Sequence, residues 1–179
     1  MARAAIDEYL YLLDAAFAGP DWHSLLTNVR AVEPRDWLWL PPGGARPIGE
    51  MVAHVGACKY MYENHAFGDA SLKWGEPLTN ERRLSAVTAD AVAELLHWLE
   101  EAQRAVRASV HALDDDRELL RPRRTNWGEM KETRWIIKSM IEHDLYHAGR
   151  SIGCARCARR TTAGRTSVAR SRGSDASSR

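Results

Sequence analysis

Two histidines four residues apart, in the segment EHDLYH (142–147), are the sharpest chemical feature of the chain. On a helix His143 and His147 leave the same face about one turn apart, so both imidazoles can share one metal ion at about 2.0–2.1 Å. They continue the stripe Ile136, Met140, His143, His147, which turns the pair toward a core rather than toward water. Two core or rim histidines held by hydrogen bonds produce the same pattern without a metal. A catalytic site of this kind needs a third protein ligand and an open position. His54 is the best candidate, within the apolar stripe Met51, Val55, Cys58, Tyr62. A lone histidine in such a stripe is more commonly a satisfied core residue. A third ligand from another helix is nevertheless how bundles build metal sites.

The other reactive side chains fit such a site less well. Cys58, one turn beyond His54, can approach an ion or pack as a small apolar residue, and packing is the commoner role. His65 stands roughly 16 Å from His54 along a helix axis and cannot share its ion. His97 and His111 lie beside the stripe of their helix, and His23 lies near a helix start; each reads as a surface or capping residue. Glu142 and Asp144 point about 100° away from His143, which makes them solvated residues or acceptors for an imidazole N–H. His143-Asp-Leu-Tyr-His147 also has the outline of the zinc-protease H-E-x-x-H, but Asp is one methylene shorter than the usual base. Tyr146 and Trp127 are candidates to line a cleft. Cys154 and Cys157 form a single C-x-x-C with no second ligand pair nearby.

Helices must position these residues. Ile6, Leu10, Leu13 and Phe17 predict a helix over 4–18, and Asp21 can cap another running to about Val32. Residues 33–47 hold four prolines and two glycines and read as a loop. Pro47 then suits the first turn of a helix reaching about Phe67. After an irregular connection over 68–87, Thr88 can cap a long helix to about Leu113, with Val92, Leu95, Leu96, Leu99, Val106 and Val110 in its buried stripe. A polar, turn-rich segment leads to a last helix over about 131–152. No strand-like alternation stands out. The expected architecture is all-α, a four-helix bundle over 1–152.

Residues 153–179 carry seven Arg and one Asp and almost no large apolar side chain, leaving 18 basic and 23 acidic residues in the rest of the chain. Such a tail buries too little surface to offset the entropy of ordering and is expected to be disordered. The mildly acidic remainder has no nucleic-acid footprint. No apolar run approaches a membrane span, and Asp7, Glu8 and Asp14 interrupt the N-terminus where a secretory signal needs an apolar core. A cytoplasmic protein without membrane or nucleic-acid partners is expected.

The segments IGEMVAHVGACKYMYE (48–63) and WIIKSMIEHDLYHAG (135–149), with PDWHSLL (20–26) and NWGEM (126–130), resemble the DinB/YfiT-like superfamily over about residues 5–150. The resemblance implies a four-helix bundle, often dimeric, with His54, His143 and His147 as the ligands of a divalent metal such as Zn, Ni or Fe. It implies a metal-dependent transferase acting on a small-molecule substrate, with a low-molecular-weight thiol as cosubstrate. A non-catalytic metal-binding stress-response protein and a metal-dependent hydrolase are the alternatives. The chain departs from the family after Gly149, where Arg150-Ser151-Ile152 runs straight into the Arg/Ser-rich tail.

Overall fold

The computed structural model describes residues 2–20, 22–40, 46–80, 82, 84–151 and 153. Four long helices make the expected bundle: α1 (Ala4–Ala18), α3 (Ile48–Phe67), α4 (Ala89–His111) and α5 (residues 133–151), with a short α2 (Leu25–Arg30) beside α1. The Thr88 hydroxyl caps α4 by accepting from the Ala91 N–H at 3.1 Å. Among the described residues no helix is long and apolar enough to cross a membrane.

Three local expectations change. The helix expected from Asp21 to Val32 spans only Leu25–Arg30, where the Ser24 hydroxyl donates to the Gly19 and Pro20 carbonyls instead of capping the helix. Asp21 lies outside the described residues. The polar segment before α5 contains a hairpin, β1 (Pro122–Arg124) and β2 (Met130–Glu132), with Arg123 opposite Lys131. Three-residue strands are too short to show alternation. The Thr125 hydroxyl exchanges hydrogen bonds with the Glu129 backbone at 2.9 and 3.0 Å, and Gly128 takes the left-handed φ of 93° that the turn requires. Because the hairpin uses residues 130–132, α5 begins at 133 rather than 131. Gly153 is helical, and the remainder of the segment expected to be disordered lies outside the described residues.

Apolar side chains form two clusters. One gathers Phe17, Met51, Val52, Val55, Leu95, Leu99 and Ala148; the other gathers Ile6, Leu10, Leu13, Val106, Val110, Ile136 and Met140. In the first, Gly56 lets the Trp98 ring lie against the α3 backbone, since a Cβ there would stand 2.3 Å from Trp98 Cζ3. Between the clusters lies a buried polar layer fed by all four long helices. Lys59 of α3, 2% exposed, donates to Asp144 Oδ2 of α5 at 2.7 Å and to Gln103 Oε1 of α4 at 2.8 Å. Gln103 Nε2 donates to the Leu13 carbonyl of α1 at 3.4 Å. The Lys59 ammonium also lies 5.3 Å from the Phe17 ring centre.

Breaking a buried pair by removing one partner leaves an uncompensated charge and costs about 3–5 kcal/mol, whereas apolar replacement of both is often neutral. Asp144→Ala is therefore expected to lower stability by about that amount in urea unfolding. The double variant Lys59→Met/Asp144→Leu should recover most of the loss. Equal destabilisation of single and double variants would show that the pair is not the interaction at stake.

Candidate metal centre

α3 and α5 carry the candidate ligands at matching spacings, His54 and Cys58 on one, His143 and His147 on the other. The stripes that seat Met51 and Val55 against the first cluster, and Ile136 and Met140 against the second, turn these side chains toward the facing helix. The three imidazoles predicted from the sequence converge. The His54 ring centre lies 5.3 Å from that of His143 and 5.5 Å from that of His147, and the last two are 4.6 Å apart. The Nε2 atoms of His143 and His147 are 3.2 Å apart. His54, Cys58 and His143 each bring one ligand atom to within 4.8 Å of the other two, a grouping able to hold a metal ion that includes Cys58 and not the predicted His147. His54 and His143 are half-buried, so the group opens toward solvent on that side.

The donor chemistry fits a borderline cation. Two nitrogens bound to one tetrahedral ion at about 2.0–2.1 Å stand roughly 3.4 Å apart, close to the His143–His147 separation. His147 is 6% exposed, and its Nδ1 is buried without a hydrogen-bond partner among the described residues. The site also disfavours protonated imidazole. Burial first, then the neighbouring His147, His54 and Lys59, holds His143 down to about 3; burial, His54, Arg150 and Arg46 hold His147 at about 4. Neutral imidazole is the ligand form.

The remaining sequence candidates fall elsewhere. His65 Nε2 sits 2.9 Å from the Leu72 carbonyl oxygen. His97 pairs with Glu101 at 3.4 Å, and His23 and His111 are exposed. Glu142 pairs with Lys138 in solvent. Trp127 stacks edge-on with Tyr62 and Trp135, which ties the hairpin to the bundle rather than lining the histidine cluster. Tyr146 is exposed at the rim, its ring 5.0 Å from His147. Asp144 requires a correction: it is neither solvated nor turned to an imidazole, but fully buried against Lys59. Burial pushes its carboxyl above the ordinary range while the Lys59 ammonium pulls it back. The sequence signal for this pair is the single Lys in the run Val55–Met61, whose neighbours are otherwise small or apolar.

A sequence model of the DinB superfamily matches residues 21–150, a span that includes all four candidate ligands. The chain belongs to the DinB superfamily. Curated proteins give no match to it. Membership accounts for the helical bundle, and with the histidine–cysteine grouping it is compatible with a divalent metal in this superfamily member.

The low values of His143 and His147 set a pH dependence of the metal-free protein. Below the unfolded value of about 6.5 the unfolded chain takes up protons that the folded site refuses. Stability present above that pH is therefore lost as pH falls toward about 4. Urea midpoints of metal-free protein should drop more between neutral pH and pH of about 5 than those of His143→Gln/His147→Gln. Parallel curves would contradict the burial-driven shift.

Proposed function

We propose that the protein holds one divalent metal ion through His54, His143 and His147 and works as a metal-dependent transferase on a small cellular thiol and a small-molecule acceptor. The observation that carries this reading is the convergence of three rings from two helices within 5.5 Å, two of them partly open to solvent. Zn, Ni and Fe all suit imidazole donors. When bound, the ion would hold a thiol as its thiolate, a competent nucleophile at neutral pH. The protein's own contribution is to keep the His143 and His147 imidazoles neutral and all three rings aligned. The half-exposed edges of His54 and His143 leave an approach for a thiol, with Tyr146 at the rim beside His147. A homodimer in the cytoplasm belongs to the same reading.

The hydrolase alternative is weaker on a specific ground. A protease-like mechanism asks the acid inside His-x3-His to serve as base. Here Asp144 points away into the buried layer, 2.7 Å from Lys59 Nζ. The non-catalytic reading differs only in turnover.

Elemental analysis of protein purified without a metal-affinity tag tests the site. Wild type is expected to carry an equimolar divalent metal, and His143→Ala to lose most of it; equal content in both contradicts the site. A panel of small thiols with an electrophilic acceptor tests the reaction. Metal-dependent turnover that is abolished in His143→Ala is the expected result, and loading without turnover by any thiol favours the non-catalytic reading.

A further inference from the structure

Cys58 stands one turn beyond His54, as His147 stands one turn beyond His143. The Cys58 Sγ is 3.6 Å from His54 Nε2. On one tetrahedral ion, a thiolate at about 2.3 Å and an imidazole nitrogen at about 2.0–2.1 Å stand roughly 3.5 Å apart. The His143–His147 pair, at 3.2 Å, has nearly the nitrogen–nitrogen edge of the same figure. Each helix thus holds two candidate ligand atoms at nearly the spacing of one tetrahedral edge. Across the helices, the ligand atoms of His54, Cys58 and His143 are already within 4.8 Å of one another.

We propose that Cys58 is the fourth protein ligand of the ion, bound as thiolate, its proton passing to solvent when the metal loads. The proposal rests on the three-histidine site above and adds what fills the remaining position. Three neutral imidazoles and one thiolate leave a net charge of about +1, in a donor set that favours zinc-like ions over hard cations. The site is then closed by four protein ligands in the resting protein. An incoming thiol would exchange with Cys58, whose thiolate would take up the proton that the substrate gives up. Cys58 serving only as a packed apolar residue, or donating S–H to His54, places no sulfur on the metal.

Full-length protein stripped of metal and loaded with Co(II) separates these cases. A sulfur-to-cobalt charge-transfer band in the near ultraviolet is expected in wild type. The chain has three cysteines, so in Cys154→Ser/Cys157→Ser the only sulfur donor among them is Cys58, and the band should persist there. Cys58→Ala should lose the band while still binding Co(II) through the histidines. Equimolar Co(II) without the band, or a band that disappears in Cys154→Ser/Cys157→Ser, overturns this proposal alone. Failure of wild type to bind Co(II), or undiminished binding in His143→Ala, overturns the three-histidine reading and this proposal with it.

Discussion

The ion pair between Lys59 and Asp144 is the constraint on which the rest of the bundle turns. It is fully enclosed and joined to Gln103 and to the Leu13 carbonyl, so one hydrogen-bonded layer takes a group from each long helix. Apolar contacts tolerate sliding, because one leucine replaces another at little cost. A buried ammonium does not: displaced by one helical turn, it loses partners that the interior cannot replace. The layer lies between the two apolar clusters and fixes the register of α3 against α5. A salt bridge of this kind contributes little net stability over an apolar core of the same shape, whereas breaking it by removing one partner is costly.

That alignment is what the candidate metal centre needs. Lys59 follows Cys58 directly, and Asp144 lies between His143 and His147. The ion pair and the ligands therefore belong to the same turns of the same two helices. Holding Lys59 on Asp144 brings the His54 ring opposite His143 and His147. Preorganisation of this sort lowers the conformational cost of binding, and burial keeps two of the rings in the neutral form that binds metal. With Cys58 proposed as the fourth ligand, a substrate thiol would enter by ligand exchange rather than at an open position.

Much of this was legible in the sequence. Helical spacing of Ile6, Leu10, Leu13 and Phe17, the Thr88 cap and the stripes carrying His54 and His143 are local patterns, and local patterns survive reading one residue at a time. The hairpin was not legible, because its strands are three residues long and are held by the Thr125 side chain and a left-handed glycine rather than by alternation. Nor was the Lys59–Asp144 pair. Its partners are 85 residues apart; the apolar run around Lys59 hints at burial, but nothing local pairs it with Asp144, which alone resembles a solvated charge on a helix. The convergence of His54 on His143 and His147 is likewise a tertiary fact that spacing within one helix does not contain. The resemblance to the DinB superfamily, to which the chain belongs over residues 21–150, implies that these histidines act together.

The central claim is that one ion is held by facing ligand pairs from α3 and α5. X-ray absorption at the metal edge of the zinc-loaded, full-length protein tests it most directly. The account predicts a four-coordinate shell with imidazole nitrogens at about 2.0–2.1 Å, outer-shell imidazole scattering, and one sulfur at about 2.3 Å. A shell of oxygens without imidazole scattering, or one dominated by sulfur, would contradict it.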